Sequence, residues 1–266
     1  MRILTVGDVV ASDGREFIYN NLGRIKKKYN IDYCILNGEN AALTNGITVD
    51  IARNFIDAGA DVITLGNHTF ANKEYKDVLN DMPRVIRPIN YPPETEGMGY
   101  YIEDLGSVRI AVINALGRLN MEPIDCPMRA VERCFKEIDG KADIKVIDFH
   151  AETTSEKLAF GYFFDGKASV VFGTHTHVQT ADERVLPGGT GYITDLGMTG
   201  VRDSVLGVKK EIIIEKYYTM KRFRFEKAEG EVWFSGAVFE VDEKTGKTLS
   251  VERLYFNSAG LKEIRS

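Results

Sequence analysis

Little in this sequence could staple the chain, anchor it in a membrane or bind a soft metal. Among 266 residues there are three cysteines, Cys34, Cys126 and Cys134, an odd number with no C-x-x-C spacing. Neither a disulfide framework nor a thiolate metal site is expected, and reduced thiols suit the cytoplasm. No apolar stretch approaches the roughly 20 residues that span a bilayer. Met1 runs directly into a strand pattern without a basic-then-apolar leader, so the expectation is a cytoplasmic protein with no membrane contact. A net charge of −5 gives no global attraction to nucleic acid, and stable nucleic-acid binding is not expected. Internal repeats, low-complexity tracts and linkers are lacking too. Residues 1–266 are therefore expected to form a single domain, long enough to bury a sizeable core. Self-association into a homo-oligomer is compatible with this sequence but not specified by it.

Histidine is scarce as well, and its placement is informative. The four histidines are His68, His150, His175 and His177. The segment Ser169-Val170-Val171-Phe172-Gly173-Thr174-His175-Thr176-His177 is a β-branched apolar run that breaks at a glycine and then presents two of them. If the chain stays extended through both, the period of two puts the imidazoles on one face, roughly 7 Å apart. Ile144-Lys145-Val146-Ile147-Asp148-Phe149-His150 is a second apolar run ending in histidine, and His68 follows Leu65-Gly66-Asn67. A lone histidine at a strand end is usually just a hydrogen-bonded residue. Four with one design point to a shared metal site.

Along the chain, Arg2–Val6, Tyr33–Leu36 and Asp61–Leu65 read as short buried strands. Helical spacing follows each of them, through Lys28, over Ile51–Ile56 and over Glu74–Leu79. Alternation in units of about 25 to 30 residues predicts parallel βαβ crossovers and an α/β sheet. Gly99–Ile113 looks like two strands about a tight turn, which makes the sheet system mixed. Met128–Ile138 reads as a helix, and Thr153-Thr154-Ser155-Glu156 has the capping pattern of another. The glycine-rich segments 187–191 and 195–200 suit an active-site rim or ordinary turns equally. Beyond Lys210 the pattern is strand-like in Arg222–Phe225, Glu231–Val241 and Leu249–Leu254, with a hairpin turn at 242–247.

Five strands thus end in polar groups: Asp8, Glu39 with Asn40, Asn67 with His68, His150, and His175 with His177. In open α/β sheets the ligand crevice lies outside the carboxyl ends of the strands, so these groups can converge. Singly, Asp8 and Asn40 could be helix caps or turn formers and Glu39 a surface carboxylate. Together, two carboxylates, two amides and four imidazoles are too many for one four-coordinate ion and suit two ions with a shared ligand. Two metals about 3.5 to 4 Å apart can clamp a phosphoryl group, generating hydroxide on one side and neutralising developing charge on the other. Nitrogen and oxygen ligands leave iron, manganese and zinc open.

The ordered motifs Gly7-Asp8, Asn37-Gly38-Glu39-Asn40, Gly66-Asn67-His68, Asp148-Phe149-His150-Ala151-Glu152 and Gly173-Thr174-His175-Thr176-His177 resemble those of the calcineurin-like metallophosphoesterases. More narrowly, Asp148–Lys157 and Thr174–Thr180 resemble the bacterial YmdB-like branch of cyclic-nucleotide phosphodiesterases. The resemblance runs from Met1 to about Gly207. It implies an α/β fold of two mixed sheets sandwiched between helices, and a dinuclear centre, commonly iron or manganese. By position, Asp8, Glu39, Asn40 and His177 would hold one metal and Asn67, His150 and His175 the other, with Glu39 bridging and His68 as proton donor. Where the wider superfamily has an Asp-x-His motif this chain has Asp8-Val9-Val10, and the branch assigns Asn40 to the vacant role. Ala11 stands where the branch usually has glycine. The implied activity is hydrolysis of small cyclic nucleotides, the 2′,3′-cyclic type favoured. A phosphomonoesterase or nucleotidase, or a regulatory binding protein of the same fold, is the alternative, and substrate-binding residues are not identified.

Overall fold

The computed structural model describes residues 1–42 and 45–263. The chain starts with β1 (Arg2–Val6), the two-residue β2 (Asp8–Val9) and α1 (Ala11–Lys28). It continues through β3 (Tyr33–Asn37), α2 (Val49–Ala58), β4 (Val62–Thr64), α3 (Tyr75–Asp81) and β5 (Val85–Ile86). β1, β3, β4 and β5 are parallel neighbours, as the repeating strand and helix pattern predicts. Their residues alternate between two cores. Leu4, Val6, Cys34, Leu36 and Ile63 face α1 and α2, whereas Ile3, Tyr33, Ile35 and Val62 face the opposite way. A strand buried on both faces has no polar side to show, which is why these segments are continuously apolar. The helices are bounded by local chemistry: Thr48 caps α2 by accepting from Ile51 N at 3.2 Å, and Gly59, at φ 114°, ends it.

A second sheet follows from β6 (Tyr100–Asp104), β7 (Arg109–Leu116), α4 (Pro127–Glu137), β8 (Ile144–His150), α5 (Thr154–Phe163), β9 (Val170–Thr174), β10 (Arg184–Val185) and β11 (Gly191–Ile193). Its order is β10-β11-β9-β8-β7-β6, parallel in the middle and antiparallel at both edges. The chain then returns to the first sheet with β12 (Met198–Val201), α6 (Lys210–Thr219), the hairpin β13 (Val232–Val241) and β14 (Thr248–Asn257), and α7 (Ser258–Glu263). The first sheet thereby runs β2-β12-β13-β1-β3-β4-β5, with β14 on the other edge of β13.

The two sheets pack face to face through Ile3, Ile35, Val112, Val146, Phe172 and Phe239. α1 and α2 cover the outer face of one, and α4 and α5 the outer face of the other, burying Val131, Cys134, Phe160 and Phe164. The result is the mixed α/β sandwich of two sheets between helices that the motifs implied. Thr153 caps α5 as its sequence suggests, accepting from Glu156 N. No helix among the described residues is long and apolar enough to cross a membrane.

Three expectations need correction. β9 stops at Thr174, and His175 and His177 have φ of 98° and 62°, so the chain is not extended through them. Residues 222–225 pair with no strand, and the first segment beyond Lys210 is the helix α6. Its run Ile212-Ile213-Ile214 buries only Ile213, so no helical stripe marks it in the sequence. The glycine-rich segments are not merely turns, because Gly191 opens β11 and Met198–Gly200 lie in β12.

Candidate metal centre

The carboxyl ends of β1, β3, β4, β8 and β9 meet on one side of the sandwich, and all eight singled-out residues come with them. Asp8, Glu39, Asn40 and His150 are buried and Asn67, His68, His175 and His177 half-buried, and Glu39, Asn40, His68, His175 and His177 line a cavity of about 240 Å³. Gly66 makes the crowding feasible, since a methyl group there would run into the Glu39 carboxylate and the His150 ring. Ala11, where a glycine was expected, adopts φ 56° and donates its N–H to Asn40 O at 3.0 Å, so the first loop turns at a cost that glycine would avoid.

Two knots of polar atoms stand out. Around His150 Nε2 lie Asn67 Oδ1 at 2.9 Å, His175 Nδ1 at 3.0 Å and Glu39 Oε1 at 3.1 Å. A ring nitrogen carries at most one proton, so it cannot satisfy three such neighbours. Around the Asn40 side-chain amide lie Glu39 Oε1 at 3.1 Å, His177 Nε2 at 3.2 Å and Asp8 Oδ1 at 3.4 Å. The amide has two protons for three acceptors, and half a turn would present its oxygen to the same point. Glu39 Oε1 belongs to both knots. His177 Nδ1 is buried without a partner among the described residues. Lone pairs converging faster than protons can serve them are what a cation satisfies, and Glu39, His150 and His175 each offer a ligand atom within 4.8 Å of the others. The donor set fits hard or borderline metals.

The electrostatics agree. Burial opposes the Asp8 charge, but the His177 hydrogen bond and the His177 and His150 charges hold its carboxyl well below the usual carboxylate range. Glu39 is likewise held low by His150 against the cost of burial. Burial would depress His150, yet Glu39 and Asp8 push it up to about 9. His175, buried beside His150, is pushed down to about 4. The carboxylates of Glu39 and Asp8 concentrate negative potential at one buried point, which favours a cation there.

Several supporting residues went unread in the sequence. Thr174 Oγ1 pairs with His150 Nδ1 at 2.9 Å and donates to Asp148 at 2.6 Å. Asp148 also accepts from Thr64 and Asn37, and burial pushes its carboxyl up to about 6. Glu152, at the rim, lies 2.9 Å from His175 Nε2. Asn45 Nδ2 lies 3.2 Å from His68 Nε2. Under the His175 to His177 loop, Lys157 and Asp195 form a buried ion pair at 2.5 Å, and Asp195 accepts from Thr176 N and Gly197 N. Asn37, Asp148, Glu152, Lys157, Thr174 and Thr176 lay inside the quoted motifs without being assigned a role, whereas Asn45 and Thr64 lay outside them.

Comparison with known proteins leads the same way. A 2′,3′-cyclic-nucleotide 2′-phosphodiesterase of Bacillus subtilis is 46% identical over 97% of each chain. The crystal structure of a novel phosphatase from Mycoplasma pneumoniae superposes with a TM-score of 0.90 at 34% identity, covering 99% of this chain and 96% of that one. A hypothetical protein from Thermus thermophilus gives the same TM-score of 0.90 at 37% identity, covering 97% of this chain and 99% of that one. With a family model for YmdB-like proteins matching residues 4–254, the chain belongs to the YmdB-like family.

Proposed function

We propose that this protein is a dinuclear-metal phosphodiesterase that opens 2′,3′-cyclic phosphates of small nucleotides, working as a single unit in the cytoplasm. One observation carries the reading: Glu39 Oε1 is common to two knots of ligand-type atoms, 3.1 Å from both His150 Nε2 and Asn40 Nδ2. Asp8, Glu39, Asn40 and His177 would hold one ion, and Asn67, His150 and His175, with Glu39 bridging, the other. Iron or manganese is favoured and zinc is compatible. When bound, two such ions lower the pKa of an attacking water and neutralise charge gathering on the phosphoryl oxygens.

The chain's own groups do the rest. Glu152 and Thr174 hold the far nitrogens of His175 and His150, fixing which ring nitrogen faces the centre. His68, whose backbone N–H is tied to Glu39 Oε2 at 2.9 Å, lines the cavity with its imidazole and protonates the departing ribose oxygen. Asn45 can serve it in both states, its amide nitrogen donating to a neutral Nε2 and its oxygen accepting from a protonated one.

The test compares substrates of different leaving groups on metal-loaded protein. A ribose alkoxide needs a proton, and a nitrophenolate scarcely does. His68→Ala should keep its metal content and lose about 10² to 10⁴-fold in kcat on a 2′,3′-cyclic nucleotide, and far less on bis(p-nitrophenyl) phosphate. Equal losses would leave His68 as a positioning group. A wild-type enzyme that hydrolyses nucleoside 3′-phosphate but not the cyclic diester would replace the reading with a phosphomonoesterase.

A further inference from the structure

β13 alternates its side chains between the two cores, and Ala237, Phe239 and Val241 face the second sheet. The same face continues towards the start of the strand as Ser235 and Trp233, and there it lines an open cavity of about 410 Å³. Tyr255, opposite Ser235 on β14, shares the wall, as do His177, Gln179, Arg202 and Leu206. His177 and Leu206 also line the cavity of the metal centre, so the two spaces adjoin.

The lining has a specific chemistry. Trp233 and Tyr255 have ring centroids 4.7 Å apart, and the indole is fixed by its N–H donating to Glu231 at 2.8 Å. The Arg202 guanidinium lies 4.1 Å from the Trp233 centroid and 5.8 Å from that of Tyr255. Among the described residues no carboxylate pairs with it, whereas the neighbouring Arg253 is engaged by Glu183 at 3.3 Å. The Gln179 amide nitrogen is committed to Gly236 O and Leu254 O, and its buried oxygen has no donor among the described residues. Aromatic faces and a planar cation with free edges suit a flat heteroaromatic ring that carries acceptors.

We infer that this cavity is the nucleobase subsite of the enzyme. The inference rests on the phosphodiester reading above, because a 2′,3′-cyclic phosphate held at the metal centre leaves the base of the same nucleotide to extend past His177. Trp233 and Arg202 then set the preference for nucleotides over small cyclic diesters that lack a base.

Trp233 is the only tryptophan in the chain, so its fluorescence reports on the subsite directly. Adenosine 3′-phosphate titrated into metal-loaded protein should quench that emission saturably, and Arg202→Ala should shift the midpoint to higher concentration. In kinetics, Trp233→Leu should lower the preference, in kcat/KM, for 2′,3′-cyclic AMP over glycerol 1,2-cyclic phosphate by roughly 5- to 100-fold, the worth of one base stacked on an aromatic ring. An unchanged preference together with no saturable quenching overturns the subsite while leaving the phosphodiesterase intact. If the wild-type protein hydrolyses neither diester, the phosphodiesterase reading fails, and quenching by adenosine 3′-phosphate alone then decides for or against the base site.

Discussion

His150 lies in the last residue pair of β8, opposite Thr174 of β9, whereas His175 and His177 lie beyond the end of β9 on a loop. The first is positioned by the sheet. Strand pairing sets its backbone, the apolar run before it sets which face it occupies, and Thr174 backed by Asp148 holds its ring. The loop histidines have no ladder to hold them, and their left-handed φ values each cost of order 1–3 kcal/mol unless the surroundings over-determine them. Here the surroundings are a buried charge pair: Lys157 Nζ donates to Thr174 O at 2.8 Å and to Asp195, and Asp195 collects the N–H groups of Thr176 and Gly197. Asp8 adds one more tie by accepting from His175 N at 3.1 Å. Secondary structure can deliver one ligand unaided, but two on adjacent turns of irregular backbone need a polar strut inside the core.

The largest effect should come from cutting that strut. Lys157→Met leaves Asp195 charged and unpaired at a site 1% exposed, which should cost about 3–5 kcal/mol in urea unfolding. The double variant Lys157→Met, Asp195→Leu removes the stranded charge and should recover much of that stability without recovering metal binding, because the ties to Thr176 and Gly197 stay lost. A double variant with full metal content would show that the loop holds its shape without the strut.

On the strand side the effect should be smaller. Thr174→Val keeps the shape of the residue but removes the hydroxyl between Asp148 and His150, which should cost about 10- to 100-fold in metal affinity or activity. Stability should fall by about 1–3 kcal/mol, because the buried Asp148 and His150 each lose a partner. Competitive chelator titration and a melting curve separate the two quantities. At the rim, Glu152 is 47% exposed at the side chain, and Glu152→Gln keeps a group that can still accept from His175. A loss of about tenfold or less in kcat/KM is expected there, because exposed pairs contribute little.

The same contrast explains what the sequence could tell. The β1, β3 and β8 strands were legible as short continuous apolar runs buried on both faces, and the hairpin strands as a strand-like alternation. The ends of those strands named the candidate ligands, and His150 does stand at the end of β8, where its apolar run put it. This logic failed where backbone left the regular regions: extending β9 through His177 assumed a ladder that ends at Thr174. Lys157 closes the quoted Asp148–Lys157 motif, but nothing near it in sequence marks Asp195, 38 residues on, as its partner. The helix α6 was missed because most of its apolar side chains, including Ile214 and Tyr218, are exposed, so burial imposed no stripe.

Metal analysis of purified Glu39→Gln beside His177→Ala tests the central claim, that both groups of ligands serve one centre joined through Glu39. Glu39→Gln should lower occupancy at both metal positions, and His177→Ala should mainly empty one. Two metals retained at full occupancy in Glu39→Gln would contradict the shared centre.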